Sequence, residues 1–177
     1  DSLAERYPGL QIHGVVGDFD HHLPYLPSGD RQLLMFLGGT LGNYRPTERK
    51  ALLSAIAERQ QTGDFVLVGI DLVKDVGRLE RAYDDAQGVT AAFNKNVLQV
   101  LNGRLDANFD LDTFEHVATF DVEREWMDLR LRSRVAQDIE IRALDLTVHF
   151  DEGEEMRTEI SAKFRPSNIA SELETVG

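Results

Sequence analysis

Cysteine is absent from the 177-residue chain. That excludes a disulfide framework, a thiolate zinc site and a cysteine nucleophile. Long apolar runs are absent too, none approaching the ~20 residues that a membrane helix requires. The N-terminal Asp-Ser-Leu-Ala-Glu-Arg has no basic segment leading into an apolar one, so no secretory signal is visible. Positive charge is scarce, with 19 Lys and Arg against 31 Asp and Glu and a net charge of -12. Such a chain repels phosphate backbones and anionic lipid, which argues against nucleic-acid and membrane partners. Metal and hydrolase signatures are also missing. The five histidines are scattered apart from His21-His22, there is no H-E-x-x-H and no G-x-S-x-G, and no metal site is expected. These absences fit a cytoplasmic location.

What is present reads as a globular chain, 42% hydrophobic and 28% charged. Its length suffices for one ordinary core, or for a core with an attached subdomain. Residues 10–17 read as a strand ended by Asp18-Phe19-Asp20, and His21 to Pro27 as a loop or short helix. Residues 31–37 form a second strand. A helix runs from Pro46 to about Gln61, with Leu52, Leu53, Ile56 and Ala57 in helical spacing. Phe65 to Asp71 is apolar throughout, as expected of a strand covered on both faces. Strand, helix and strand at this spacing predict a βαβ unit and a parallel sheet. Helices follow over 75–85 and 89–105, the second with Phe93, Val97, Leu98 and Leu101 in register. After Asp110 the period changes to two. Segments 115–120, 126–134, 138–142, 145–150 and 156–164 read as antiparallel strands with one wet face, and Pro166-Ser167 opens a final helix. Residues 1–109 therefore look α/β, and 110–165 look like an antiparallel addition. The chain has no initiator Met and opens inside a helical pattern, which reads as part of a longer polypeptide.

The stretch Phe36-Leu-Gly-Gly-Thr-Leu-Gly-Asn43 is the most informative. An apolar strand stops at a Gly pair, then reaches a further Gly and an Asn. Open α/β sheets bind ligands at such carboxyl ends, where backbone must approach closely, and Asn43 offers both a donor and an acceptor. A strand followed by a ligand-free tight turn is the plain alternative. Asp18-Phe19, just past a strand, can read a purine through carboxylate and ring, or can be a helix N-cap followed by a core Phe. Asp71 either faces the same crevice as Asn43 or bonds loop amides. Tyr83 can hold a carboxylate or simply pack. Glu159 and Ser161 are two apart on a strand and share a face, so they can grip a small donor-bearing ring such as imidazole, or be ordinary surface residues.

Taken in order, these residues resemble one family. The resemblance is carried by Gly17-Asp18-Phe19, Phe36 to Asn43, Gly69-Ile-Asp-Leu-Val-Lys-Asp75, Ala82 to Asn94, Asn108-Phe-Asp-Leu-Asp112, Phe114-Glu-His116, Leu144 to Phe150 and Glu159-Ile-Ser-Ala-Lys-Phe164. The chain is similar over nearly its whole length to the histidine-specific methyltransferases of ergothioneine biosynthesis. The resemblance implies a Rossmann-like class I methyltransferase sheet, present in part, with a smaller α+β substrate-binding domain containing an antiparallel sheet. The implied division is 1–75 for the cofactor-binding part, 76–165 for the substrate-binding part and 166–177 for a helix returning to the first. It implies S-adenosylmethionine (SAM) as methyl donor, no metal, and trimethylation of the α-amino group of L-histidine to hercynine. By position, Asp18 and Phe19 would contact the adenine. The Gly38 backbone borders cofactor and reacting amine, and Asn43 orients that amine. Tyr83 would bind the substrate carboxylate, and Glu159 and Ser161 the imidazole. No general base is identified.

The family's glycine-rich cofactor loop, its ribose-binding acid and its upstream pocket tyrosines have no counterpart in these residues. The expectation is therefore a part of a longer enzyme, whose remainder is a partner in completing the site. Two other readings stand beside this one. A related methyltransferase acting on another amine is disfavoured by Glu159 and Ser161. A binding fragment without catalysis is favoured by the missing loop.

Overall fold

The computed structural model describes residues 2–27 and 29–177. Helix α1 spans Ser2–Arg6 and the one-turn α2 spans Phe19–His22. Between them, residues 10–17 form no strand. All are exposed, and no described strand pairs with them. Their apolar content is of strand type, but a strand forms only where its backbone groups find a ladder.

Strand β1, Leu33–Phe36, leads through the glycine turn into α3, Pro46–Ala57, and back to β2, Phe65–Val68. The two strands pair in parallel, Leu33 opposite Phe65 through Phe36 opposite Val68, so the expected βαβ unit is present. Pro46 starts α3 where a missing N–H costs nothing, and the Glu48 carboxylate accepts from the Arg45 amide. The helix ends at Ala57, a turn earlier than the pattern predicts. The expectation that β2 is covered on both faces is not met here: Phe65, Val66 and Leu67 are exposed, while Val68 packs inward with Leu34 and Phe36 against α3.

Helix α4, Val76–Tyr83, is capped by the Asp75 carboxylate, which accepts from the Arg78 amide. Helix α5, Val89–Leu105, is capped by Asp85, whose oxygens accept from the Val89 and Thr90 amides and hold its own pKa down to about 2. Leu98 and Leu101 of α5 face the core as expected. Phe93, 70% exposed, and Val97, 38% exposed, do not, because their row lies to one side of the stripe that carries Leu98.

Strands β3, Phe114–Asp121, β4, Trp126–Ser133, and β7, Glu155–Ala162, form an antiparallel sheet with β4 central. Strands β5, Gln137–Ile141, and β6, Leu146–Phe150, make a separate hairpin. The one-wet-face expectation fails for β4. Met127, Leu129 and Leu131 are buried toward α4 and α5, and Asp128 on the other face is buried as well. Asp128 stays charged there because Arg130 and Arg157 both donate to it. A register shift opposite Leu129 and Arg130 leaves Thr158 as an extra residue in β7, so Arg157 turns back onto Asp128 while Ser161 points toward α4.

Past β7 the chain joins the parallel layer. Leu72 pairs in parallel with Phe164, and the Phe164 amide donates to the Asp71 carbonyl. Helix α6, Pro166–Glu174, packs Ile169 into the core formed by Leu41, Leu52, Leu53, Ile56, Trp126, Ile160 and Ala162. Arg49 clamps α3 to α6 through a two-pronged bond to the Glu172 carboxylate. Observed at this level, the fold is mixed α/β, with a small parallel sheet and antiparallel sheets.

Candidate functional site

The glycine turn after β1 is built for close approach. Gly38 and Gly39 adopt positive φ, +85° and +74°, which a side chain would strain. Gly42 has a negative φ but a different constraint: a Cβ there would meet the Ala162 carbonyl oxygen at 2.9 Å. The turn therefore lies against the free edge of β7, and Asn43 is delivered beside the strand that carries Glu159 and Ser161.

A cavity of about 320 Å³ opens at this junction, lined by Gly38, Gly39, Thr40, Asn43, Asp71, Tyr83, Glu159, Ser161 and Lys163. Five residues singled out from the sequence thus converge: Gly38, Asn43, Tyr83, Glu159 and Ser161. Asp71 joins them, so its crevice-facing alternative holds. The Tyr83 and Ser161 hydroxyls are 2.8 Å apart. Lys163, which sequence reasoning passed over, donates to Tyr83 Oη at 2.7 Å and to Ser161 Oγ at 2.8 Å, and lies 3.2 Å from Asp71 Oδ2. The signal that could have found it is the same period-two argument, since positions 159, 161 and 163 fall on one strand face.

Tyr83 is held from behind. Asn94 Nδ2 donates to the Arg130 carbonyl and to His116 Nδ1. With Nδ1 accepting, His116 carries its proton on Nε2 and donates to the Tyr83 carbonyl at 2.8 Å. Burial pushes the Glu159 carboxyl above its ordinary pKa, partly offset by the Lys163 charge. Burial acts the same way on Asp71, but hydrogen bonds from Lys74 and Lys163 outweigh it and hold the carboxyl below its ordinary value.

Asp18 and Phe19 lie at a second cavity, about 210 Å³, whose walls include Val15, Leu23 and Leu26. Asp18 is the N-cap of α2, accepting from the Asp20 amide, and this bond with that of His21 lowers its pKa. The capping alternative is thus realised, but Phe19 is exposed rather than in the core. Two links tie this cavity to the first. The Phe19 ring meets Phe36 edge to face at 5.5 Å, two residues before Gly38, and the Tyr44 hydroxyl donates to Asp20 at 2.7 Å, one residue after Asn43. Largely apolar walls with one carboxylate and the His22 ring suit a flat heteroaromatic ring bearing an exocyclic amine. A carboxylate already accepting two bonds keeps lone pairs for such a ligand. Among the described residues there is no cluster of His, Asp and Glu able to hold a metal ion and no helix long and apolar enough to cross a membrane.

Comparison with known proteins identifies the family. The chain is 53% identical over 176 residues to the histidine N-alpha-methyltransferase of Mycolicibacterium smegmatis and 49% identical to that of Mycobacterium tuberculosis, covering 99% of this chain and 55% of each relative. It is 25% identical to the L-tryptophan methyltransferase trpM of Psilocybe serbica, over all of this chain and 51% of that protein. The chain therefore spans about half the length of the curated relatives it matches. A family model described as histidine-specific methyltransferase, SAM-dependent, matches residues 1–177. The chain belongs to the histidine-specific, SAM-dependent methyltransferase family.

Proposed function

We propose that this chain supplies the substrate side of an enzyme that transfers methyl groups from SAM to the α-amino nitrogen of L-histidine, three times, giving hercynine. The observation that carries the reading is the convergence of Asn43, Tyr83, Glu159 and Ser161 on one cavity at the carboxyl end of a parallel strand. In this reading the parallel pair and α3 are part of a Rossmann-like sheet, residues 1–75. Residues 76–165 form the substrate domain, and 166–177 return to the first.

SAM supplies an electrophilic sulfonium methyl; the chain's residues supply position. The α-amine must present a neutral lone pair in line with that methyl, so orientation is worth much of the rate. Asn43, fixed by the glycine turn, has the amide oxygen to accept an amine proton and so aim the lone pair. Gly38, without a side chain, leaves room between amine and methyl donor. Tyr83 offers a hydroxyl to the carboxylate, and Asp18 with Phe19 suits the adenine. Glu159 and Ser161 offer the imidazole an acceptor and a hydroxyl. Buried polar partners of this kind reject ligands that leave them unpaired.

The trpM relative carries a name that assigns a different amino acid, so family alone does not fix the substrate. Glu159 and Ser161 favour a small nitrogen heterocycle over an indole. Mass spectrometry of L-histidine incubated with SAM and the complete gene product tests the reading. A product heavier by three methyl groups, with the imidazole unmodified, is expected. Unchanged histidine beside bound SAM would sink it in favour of another amine.

A further inference from the structure

Lys163 lies one alternation beyond Ser161, and its side chain is 1% exposed. A buried ammonium is tolerated when each N–H finds a partner. The three N–H groups of Lys163 have three acceptors, Tyr83 Oη at 2.7 Å, Ser161 Oγ at 2.8 Å and Asp71 Oδ2 at 3.2 Å. None is left over for a ligand, so Lys163 reaches the cavity only through its partners. Asp71 does not cancel its charge alone. The other oxygen of that carboxylate accepts from Lys74 Nζ at 2.7 Å, so one negative charge is shared between two ammoniums. The excess of positive charge falls on Tyr83. The Lys163 ammonium donates to its hydroxyl oxygen and lies 4.6 Å from the centroid of its ring.

An ammonium can only donate, so the direction of the Lys163–Tyr83 bond is fixed. It occupies a lone pair of Tyr83 Oη, polarises the phenol and makes its O–H a stronger donor. Ser161 Oγ lies 2.8 Å from the same oxygen, and either hydroxyl can donate in that contact. Once Tyr83 gives its proton to a ligand, Ser161 either donates to Tyr83 or turns to the ligand. The Lys163 bond is kept in both arrangements.

We infer that Lys163, acting through Tyr83, is a positioning residue for the substrate carboxylate and selects an α-amino acid over the amine that lacks that group. This rests on the reading above that Tyr83 meets the carboxylate. A carboxylate accepting from a phenol that is itself bonded to an ammonium completes a chain of charge-assisted hydrogen bonds. A ligand without the carboxylate leaves the polarised O–H unpaired. Glu159, the other acid of the cavity, meets the imidazole in this reading, and both kinds of ligand carry that ring.

Calorimetric Kd values for L-histidine and for histamine, which lacks the carboxylate, test this on the complete gene product with S-adenosylhomocysteine present. The readout is the histamine-to-histidine Kd ratio, in which a general loosening of the site cancels. The ratio is expected to fall by about tenfold or more in Tyr83→Phe and by a similar factor in Lys163→Met. In the double variant it is expected to fall no more than about twofold below Tyr83→Phe, because Lys163 acts through the phenol. A Lys163→Met ratio within about twofold of the wild type overturns the inference, as does a double variant in which the two losses multiply. Should Lys163→Met not fold, Lys163→Gln, polar and uncharged, is read by the same limits. A ratio unmoved by Tyr83→Phe removes the carboxylate reading of Tyr83 and this inference with it, whereas a fall in Tyr83→Phe alone removes only the inference.

Discussion

Glu159 meets two opposed demands. Its carboxyl is half-buried and its pKa is raised by that burial, so in the folded chain the charged form is disfavoured relative to the unfolded one. For an acid whose folded pKa is raised, the penalty is absent below the unfolded value near 4.3, grows as pH rises through the folded value, and is fully present above it. Glu159→Gln is therefore expected to leave thermal stability at pH 7 equal or higher, while raising the KM for histidine by roughly 10- to 100-fold through loss of a charged acceptor. A Tm series beside steady-state kinetics reads both. Asn43 makes the complementary case. If it aims the amine, Asn43→Ala is expected to lower kcat by about 100-fold with little change in KM, because only the reacting geometry is lost. These residues were legible in the sequence for physical reasons. Asn43 follows a strand-ending glycine run, and Glu159 and Ser161 share a strand face. Lys163 was not, because a lysine near a strand end reads as solvated. Its burial follows from α4 and the Asp71 segment closing over it, which no local pattern encodes.

The glycine turn and β7 act as one element, because Gly42 lets backbone meet backbone. Gly42→Ala puts a methyl against the Ala162 carbonyl, where neither side is a flexible tip that can yield. The expected cost is about 1–3 kcal/mol in chemical denaturation, accompanied by lost activity as Asn43 moves away from Glu159. On the other face of the same sheet, Asp128 is buried between Arg130 and Arg157, with Glu155 taking Arg130 and Arg132 in turn. Desolvation opposes the Asp128 charge, but the two guanidiniums outweigh it and its pKa is strongly lowered. A depressed acid contributes stability that is present above its unfolded value near 3.9 and is lost as pH falls below it. Asp128→Ala is expected to cost about 2–3 kcal/mol at neutral pH, discounted because the arginines are partly in water, and to flatten the loss of stability below about pH 4. Urea midpoints across that range check it. Strand positions and most boundaries were readable from the period-two pattern. The extra residue Thr158 was not, since plain alternation puts Arg157 and Glu159 on one face. The bulge is visible only in the pairing with β4.

Across the whole molecule, one surface disagrees with its own sequence. The parallel pair β1–β2 is apolar on both faces, the pattern of strands sandwiched between helices. Yet α3 covers one face, and Leu33, Met35, Phe65 and Leu67 are exposed on the other. Residues 10–17, strand-like in composition, lie unpaired nearby in sequence. The matched relatives are nearly twice as long as this chain. The antiparallel half shows no comparable conflict, because α4 and α5 bury its inner face and ion pairs satisfy its outer one. The strand positions were therefore legible where their partners lie within these residues, while the faces they bury were not always so, and the reading of β2 as covered on both faces is not met within these residues. A single substitution separates the two meanings of the exposed face. Leu67→Asp in the isolated 177-residue polypeptide places a charge already in water and is expected to change stability by less than about 0.5 kcal/mol. In the complete gene product, coverage of that face makes the same change bury a carboxylate and lose apolar contact, with an expected cost of about 2–4 kcal/mol. Denaturation of both pairs, with Met35→Asp as a second probe on the neighbouring strand, gives the answer. Equal and small effects in the two contexts mean that the apolar face of β1–β2 is a true surface and that the sheet ends where this chain ends it.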